Sequence, residues 1–372
     1  MRVTIPELSL VLLIGPPGAG QSAFAAKHFR PTEVLSLNAI RRMIADDDTD
    51  EGSVEAGWDA LMELTARRMH QGRLTVIDAD LLTSARRFPF LQLAAEHHYI
   101  PAAFVFGKAG EGVAVDNEGF RRIFRFASPE ITAAVEVRRL PLWSNRHDEC
   151  GPLDIIGSVY GRYVELVELL KALGYRVDPV VEHPRGRKLV FLGDLVDYGA
   201  RNVDVLRLVM SAVDAGAAYA VPGDHDDRLV RWLRGDTVQT DESMSMTIRE
   251  MNLVSADFRQ QVESFLYSSV SHYVFDQGRL VVAHAGMKEE LQGRGSAAVR
   301  TFALQGEPNW VYEYQGAARV VYSHPAVDEP LLLNQTVNLC AAGTLTALQY
   351  PEMHLVSSEG VSRRDPVVMA IK

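Results

Sequence analysis

Four polar residues in the second half of the sequence each follow a short apolar segment. They are Asp194, Asp224, His284 and His324, and the segments before them have the composition of buried strands. Carboxylate oxygens and imidazole nitrogens bind divalent cations, and a strand end holds such a ligand rigidly at the edge of a sheet. A metal ion held there activates water and polarises a phosphoryl oxygen, which is the chemistry of phosphate ester hydrolysis. We therefore predict that these four residues meet in a metal site.

A glycine-rich loop near the start of the sequence has residue types that bind phosphate. The apolar segment 8–14 is followed by Gly15-Pro-Pro-Gly-Ala-Gly-Gln-Ser22 and then by a helical pattern. Glycines let backbone N–H groups surround a phosphate, and the helix N-terminus adds its dipole. The glycines expected to bind are Gly15, Gly18 and Gly20. Gln21 stands where such loops have lysine, so the main protein cation is missing, whereas Ser22 keeps the hydroxyl that faces Mg²⁺.

The first half of the sequence alternates between strand and helix patterns. Strands are predicted over residues 8–14, 33–38, 73–78 and 102–106, and helices over 39–45, 56–71 and 84–97. This alternation is typical of a parallel sheet with helices on both faces, the α/β class. Residues 120–140 are predicted to be helical on either side of Pro129. Their arginines, Arg121, Arg122 and Arg125, are assigned to the exposed face of that helix, and the alternative is a surface that stacks and neutralises a nucleic-acid strand.

The second half is predicted to be a separate domain that begins near residues 145–152, where the sequence is polar and turn-forming. We divide the chain into residues 1–148 and 149–372. A strand is predicted over 153–156, helices over 163–173, 202–215 and 242–268, and mainly strands after residue 272. The pattern predicts a β-sandwich with flanking helices, of which 242–268 cover the site.

Short motifs around the candidate ligands resemble those of the binuclear metallophosphoesterase superfamily. They are Gly193-Asp-Leu-Val-Asp197, Gly223-Asp-His-Asp226, His284-Ala-Gly286 and Ser323-His-Pro325. The resemblance implies an α+β fold of four layers with the β-sandwich in the middle. It gives the four candidate ligands the role of binding metal, and it makes His225 the acid that protonates the leaving group. Asp197 or Asp226 is then the partner of His225.

Several positions depart from the pattern of that superfamily. Ser158 and Tyr160 stand where an upstream G-D-x-H-G motif supplies Asp and His to a first metal ion. Tyr198 replaces an arginine that clamps phosphate, and the late segment 338–340 lacks an acidic residue. We therefore expect one divalent ion, Mn²⁺, Ni²⁺ or Mg²⁺, and weak or absent hydrolysis, because one ion supplies only part of a two-metal clamp.

Residues 1–145 resemble the P-loop kinase module of bacterial polynucleotide kinase-phosphatases. The segments that carry the resemblance are 29–36, 45–48 and 72–79. The resemblance makes Asn38 the counterpart of an aspartate that deprotonates a 5′-hydroxyl, which an amide cannot do. It keeps Arg41 as a binding residue and places an arginine-rich lid over 116–127, where the arginines of this chain are out of register. We expect weak or absent binding of ATP or GTP, no kinase activity, and no ligase module.

Composition bounds the remaining expectations. The chain has 372 residues, 47% of them hydrophobic, and a formal net charge of −10. Such a charge excludes a protein that grips nucleic acid over its whole surface, and the apolar runs are too short to span a membrane. Two cysteines and an opening without a signal-peptide pattern favour the cytoplasm. Oligomeric state is not indicated.

Two functions stay open from the sequence. The losses in both modules favour a non-catalytic protein that binds a protein partner, such as an active paralogue or a ligase, or a nucleic-acid end during end repair. The four candidate ligands favour a phosphoesterase with a single metal ion that acts on nucleotide or polynucleotide phosphate ends. An enzyme active in both modules is not expected, because Gln21, Asn38, Ser158 and Tyr160 would all have to be tolerated.

Overall fold

The computed structural model describes residues 1–47, 49–107, 113–178, 180–341, 343–358, 360–364 and 367–368. It divides into two compact units. The first consists of Met1–Leu142 with Arg294–Ser296, and the second of Trp143–Gly293 with Ala297–Lys372. Asp48, the last residue of one of the kinase-like segments, lies outside the described residues.

The first unit is built on a parallel sheet. Its elements are β1 (Arg2–Pro6), β2 (Ser9–Ile14), α1 (Gln21–His28), β3 (Val34–Ser36), α2 (Leu37–Ala45), α3 (Val54–His70), β4 (Thr75–Asp78), α4 (Ser84–Glu96), β5 (Ile100–Phe106), β6 (Arg122–Phe126), α5 (Pro129–Ala133) and β7 (Glu136–Leu140). The sheet has the order β3-β4-β2-β5-β6 with parallel neighbours throughout, and β1 and β7 form a separate parallel pair.

The central strand β2 shows why this segment is uniformly apolar. Leu10 and Leu12 pack on one face of the sheet with residues of α2, α3 and α4, whereas Val11 and Leu13 pack on the other face with residues of α1 and β1. Successive strand residues point to opposite faces, so a strand covered on both sides needs apolar residues at every position. The predicted α/β architecture of this unit is confirmed.

The prediction of helix over residues 120–140 is wrong for most of that range. Residues Arg122–Phe126 form the edge strand β6, and Glu136–Leu140 form β7, with only the short α5 between them. In β6 the ring of Phe126 is buried against Phe104, while Arg125 lies exposed and pairs with Asp116 at 2.7 Å. The arginines therefore do not share the exposed face of a helix.

The second unit contains two larger sheets and several helices. Its elements are β8 (Asn145–Arg146), β9 (Leu153–Ile156), α6 (Tyr163–Leu173), β10 (Lys188–Phe191), α7 (Asn202–Asp214), β11 (Ala218–Ala220), α8 (Asp224–Leu233), α9 (Glu242–Leu253), α10 (Ala256–Ser268), β12 (His272–Phe275), β13 (Leu280–Ala283), α11 (Ala297–Gln305), α12 (Trp310–Glu313), β14 (Arg319–Tyr322), β15 (Leu331–Leu333), β16 (Thr336–Asn338), β17 (Thr346–Tyr350), β18 (His354–Ser357), β19 (Gly360–Arg364) and β20 (Val367–Val368). The sheets have the orders β11-β10-β9-β17-β18-β19 and β20-β15-β16-β14-β13-β12-β8.

The two sheets pack face to face, with helices on their outer sides. Val190 and Leu192 from the first sheet share a core with Val282 and Val321 from the second. On the outside, α6 and α7 cover the first sheet, and α11 and α12 cover the second. This is the predicted four-layer architecture, and its sandwich core follows from apolar strands buried on both faces.

One local expectation about the second unit is confirmed, and another needs correction. The described chain from residue 272 onward is mainly strand, as predicted, although α11 and α12 lie between β13 and β14. Asp224 and His225 do not end a strand, since they form the first turn of α8, which three residues separate from β11. The helices predicted over 163–173 and 202–215 are present. No helix among the described residues combines the length and apolar character that a membrane span requires.

Candidate metal site

Adjacent parallel strands bring the four candidate metal ligands together, two from each sheet. Strands β10 and β11 pair in one sheet, and β13 and β14 pair in the other. Because parallel neighbours end at the same edge, the residues that follow each pair lie side by side. These residues are Asp194 and Asp224 from the first sheet and His284 and His324 from the second, and each offers a ligand atom within 4.8 Å of the others.

The two aspartates are held by tight contact between their loops. Asp194 adopts a left-handed backbone with φ 48°, and a Cβ on Gly223 would lie 2.1 Å from Asp194 Oδ1. The buried carboxylate of Asp226 accepts hydrogen bonds from the backbone N–H of Leu195 and of Gly223, both at 2.9 Å. Asp226 therefore joins the two loops, and it is not the partner of His225.

The imidazole of His284 is oriented with a lone pair toward both carboxylates. Its Nδ1 lies 2.8 Å from the carbonyl oxygen of Leu192, and since a carbonyl only accepts, Nδ1 carries the proton. Its Nε2 then lies 3.4 Å from Asp194 Oδ2 and 3.3 Å from Asp224 Oδ1. Among the described residues, Nε2 of His284 and Oδ1 of Asp224 are buried atoms without a hydrogen-bond partner.

Such a cluster of electron pairs requires a positive charge at its centre. Burial alone would lower the pKa of His284, but Asp194 and Asp224 outweigh it and raise the pKa to about 9. A second proton on the ring can therefore occupy the centre, and a divalent cation can take its place. The donor set of two carboxylates and two imidazoles suits Mn²⁺, Ni²⁺ or a similar ion, so the residues fit the predicted metal.

The site is open on one side. Asp194 and His284 have fully buried side chains, whereas those of Asp224 and His324 are 43% and 34% exposed. The exposed side leaves a route by which a phosphate group can reach the ligands.

His225 stands beside the ligands in a hydrogen-bonded network. Its Nδ1 lies 2.6 Å from Asp197 Oδ2, so of the two partners left open by the sequence the structure selects Asp197. The buried Asp197 also accepts hydrogen bonds from Arg228 Nη2 at 2.7 Å and from Thr247 Oγ1 at 2.5 Å. Burial alone would lower the pKa of His225, but the hydrogen bond to Asp197 and the nearby carboxylates raise it.

Arg228 and Thr247 were missed by sequence reasoning. Arg228 lies three residues after His225 on α8, so the spacing of one helical turn could have indicated it. Thr247 lies on α9, 50 residues from Asp197 along the chain, and no local pattern connects the two.

Hydroxyl and thiol groups surround Asp194 on the side where the superfamily pattern supplies ligands to a first metal ion. Ser158 Oγ lies 3.5 Å from Asp194 Oδ2 and 3.1 Å from Ser323 Oγ. The thiol of Cys340 is buried, and burial raises its pKa. Burial, followed by the charge of Asp194, raises the pKa of the Tyr160 hydroxyl, so it stays neutral. Among the described residues, the groups that replace the expected ligands on this side of Asp194 are neutral.

In the first unit, the side chain of Gln21 donates hydrogen bonds to the backbone of the glycine loop to which it belongs. Gln21 Nε2 donates to the carbonyl oxygens of Gly15 at 2.7 Å and of Pro16 at 3.0 Å. Ser22 Oγ donates to Asp78 Oδ2 at 2.8 Å. The predicted loop residues thus lie together between β2 and α1, with Gly18 and Gly20 in left-handed conformations at φ 80° and 96°.

Arg41, predicted as a nucleotide-binding residue, is engaged within the first unit. It lies on α2, and its guanidinium donates to the carbonyl oxygen of Asp50 at 2.6 Å and to Ser53 Oγ at 3.2 Å. These contacts join α2 to the segment before α3.

Comparisons with known proteins agree with this division into two parts. Residues 10–117 match the model of the AAA domain family, and residues 147–327 match that of the calcineurin-like phosphoesterases. A bis(5′-nucleosyl)-tetraphosphatase PrpE of Geobacillus sp. is 36% identical over 227 residues, which cover 55% of this chain and 93% of the relative. The Bacillus subtilis protein of the same name is 36% identical over 226 residues, with the same coverage.

A solved structure gives a more distant match. A candidate diadenosine tetraphosphatase is 23% identical, with a TM-score of 0.44, over 57% of this chain and 95% of that chain.

Proposed function

Because the chain belongs to the calcineurin-like phosphoesterase family, we propose that its second unit is a phosphoesterase that uses a single divalent cation. The observation that carries the proposal is the convergence of two carboxylates and two imidazoles around buried atoms that lack partners. Buried polar groups in proteins almost always have partners, so these two atoms need either a second proton on His284 or a cation between them. In the part of the chain that the structure describes, Ser158 and Tyr160 stand where a first ion would need its ligands, which supports one ion in place of two.

The names of the relatives support a proposal for the substrate class. Proteins that share 36% of the matched residues are named for the hydrolysis of dinucleoside tetraphosphates. We extend this to the present chain as activity on phosphate groups attached to nucleosides, either in nucleotides or at polynucleotide ends. The exposed side chains of Asp224 and His324 mark the face on which such a group would enter.

Each residue of the site has a distinct role in this proposal. Asp194, Asp224, His284 and His324 would hold the ion. The ion, when bound, supplies positive charge to the phosphoryl oxygens and increases the acidity of water. His225 carries the proton for the leaving oxygen on Nε2, since its Nδ1 is committed to Asp197. Asp197 and Arg228 fix the orientation of that imidazole.

The test combines metal content with hydrolysis. Purified protein is loaded with Mn²⁺, and metal per chain is measured beside the hydrolysis of diadenosine tetraphosphate and of a nucleoside 3′-phosphate. We expect about one ion per chain and hydrolysis that is lost in Asp194→Ala. Asp227→Asn is the matched control, because Asp227 lies on the same helix as Asp224 and pairs only at 3.4 Å with Arg300 among the interactions described. Metal binding without hydrolysis of either substrate would contradict the proposal.

A second candidate function is favoured by the surroundings of Asp194. Ser158 and Ser323 are hydrogen-bonded there, and burial keeps the hydroxyl of Tyr160 and the thiol of Cys340 neutral. In the first unit, the side chain of Gln21 donates a hydrogen bond to the backbone of the glycine loop. These features suit a non-catalytic protein that binds a nucleic-acid end or a protein partner, such as an active paralogue or a ligase. The order of a P-loop unit and a phosphoesterase unit is also that of kinase-phosphatases. The hydrolysis assay above separates this candidate from the first.

A further inference from the structure

An exposed aromatic ring stands next to the proposed leaving-group acid. The ring of Tyr198 is 62% exposed, and its centroid lies 5.3 Å from that of His225 and 5.1 Å from that of Tyr160. The rings of Tyr160 and His225 are 5.6 Å apart, so the three form a compact cluster with edge contacts. The backbone N–H of His225 in turn donates to Asp194 Oδ1 at 3.2 Å. Tyr198 therefore presents a free face beside the metal site.

The backbone fixes this ring in a conformation that an unconstrained tyrosine rarely adopts. Tyr198 has φ 57° and Asp197 has φ 72°, both left-handed. The turn is held by a hydrogen bond from Gly199 N to the carbonyl oxygen of Asp197 at 2.6 Å and by Asn202 Nδ2, which donates to the carbonyl oxygen of Gly199 at 3.0 Å. Non-glycine residues in left-handed conformations concentrate at functional sites, where the surrounding structure maintains them.

We propose that Tyr198 is a stacking platform for the base of a nucleoside phosphate whose phosphate group lies at the metal ligands. Exposed tyrosine faces bind bases by stacking, which tolerates any base because each has a π-face. Tyr160 supports the ring from the side and leaves its outer face open. The sugar then spans the distance between the metal-bound phosphate and the stacked base. This inference rests on the proposed function, because it assumes that the phosphate lies at the metal site.

The experiment measures binding, independently of hydrolysis, in the full chain loaded with Mn²⁺. Dissociation constants of AMP and of ribose 5-phosphate are determined by calorimetry for the wild type and for Tyr198→Ala, Tyr198→Phe and Tyr312→Ala. Tyr312 is the matched control, since it is 61% exposed in the same unit and lies away from the three-ring cluster. Asp194→Ala identifies the part of the binding that belongs to the metal site and separates it from any binding at the glycine loop.

We expect Tyr198→Ala to weaken AMP binding about tenfold and to leave ribose 5-phosphate unchanged. Tyr198→Phe and Tyr312→Ala should bind both compounds as the wild type does. Equal losses for AMP and ribose 5-phosphate would overturn the inference, because the ring would then act on the phosphate or on the loop. AMP binding that does not depend on Asp194 would overturn it as well.

The two proposals fail in different ways. If AMP binding depends on Tyr198 but no substrate is hydrolysed, the stacking platform stands and the proposed catalysis is wrong. If hydrolysis occurs with no preference for compounds that carry a base, the catalysis stands and the platform is wrong.

Discussion

The glycine loop of the first unit and the metal cluster of the second both follow strands of parallel pairs, but they treat their polar groups differently. In the loop, Gln21 donates to two backbone carbonyls and Ser22 donates to Asp78, so these side chains are satisfied by the chain itself. In the cluster, Asp224 Oδ1 and His284 Nε2 are buried without partners among the described residues. Buried ligand atoms without hydrogen-bond partners can accept a cation between them, whereas these side chains of the loop are already hydrogen-bonded within the chain.

The largest effect in this comparison should come from the buried imidazole of the cluster. His284→Ala removes a fully buried ligand, so we expect metal affinity to fall by on the order of a thousandfold. This loss exceeds the one expected when a residue that only hydrogen-bonds a ligand is removed. His324→Ala should cost only about tenfold, because water can replace a half-exposed ligand. Metal titration of both variants tests the difference. His272→Gln is the control for core disturbance, since His272 is also fully buried, and similar losses for all three would contradict the assignment.

A smaller effect is expected when the partner of His225 is changed. Asp197→Asn leaves the four ligands intact but removes the carboxylate that accepts from Nδ1. We expect kcat to fall about a hundredfold while metal content stays unchanged. The control is Asp227→Asn, because Asp227 lies on the same helix as His225 but pairs with Arg300 at 3.4 Å, outside this network. Unchanged kcat in Asp197→Asn would show that the imidazole does not act as the acid.

The glycine loop should respond to a positive charge. Gln21→Lys gives the loop a cation for nucleotide phosphates, and we expect ATP to bind about tenfold more tightly in the presence of Mg²⁺. Phosphoryl transfer should remain absent, because Asn38 cannot accept a proton. Equilibrium dialysis with ATP measures the affinity, and Gln92→Lys adds the same charge on an exposed helical position. An equal gain in both variants would mean that only the net charge matters.

The smallest effect concerns stability. A chelator should lower the melting temperature of the second unit by about 3 °C and leave that of the first unchanged, because an ion that binds only the folded state stabilises it. Calorimetry of the Mn²⁺-loaded and chelated protein gives the comparison. Asp194→Ala supplies the reference, since its melting should not respond to the chelator. A lower melting temperature for both units would contradict the assignment of the ion to the second unit alone.

Local patterns predicted most of the fold. The strand predicted over 8–14 and the apolar segment predicted before Asp194 are present as β2 and β10, because strands covered on both faces are apolar throughout. The range 120–140 failed, because the five residues of β6 are too few to distinguish a period of 2 from one of 3.6. The second strand of this range, β7, pairs with β1, which lies more than 130 residues earlier. No pattern within a few residues of β7 indicates that pairing.

The candidate site was predictable to a similar extent. The four ligands were found because each follows an apolar segment, a feature visible within a few residues. The choice between Asp197 and Asp226 was not, because each follows a Gly-Asp pair closely in the sequence and only the packing of α9 places Thr247 on Asp197. The free face of Tyr198 was also hidden, since exposure of one ring depends on loops that the sequence does not describe.

The distribution of ligands over two sheets has a further consequence. Asp194 and Asp224 belong to one layer of the sandwich, and His284 and His324 belong to the other. An ion bound by all four would cross-link the layers at one end, much as a disulfide joins two strands. Metal affinity and the cohesion of the sandwich are then coupled, and the coupling is reciprocal. Val282 is buried between the two layers, far from solvent. A smaller side chain at this position would weaken the packing of the layers and would thereby lower the affinity for the ion, although none of the ligands is changed.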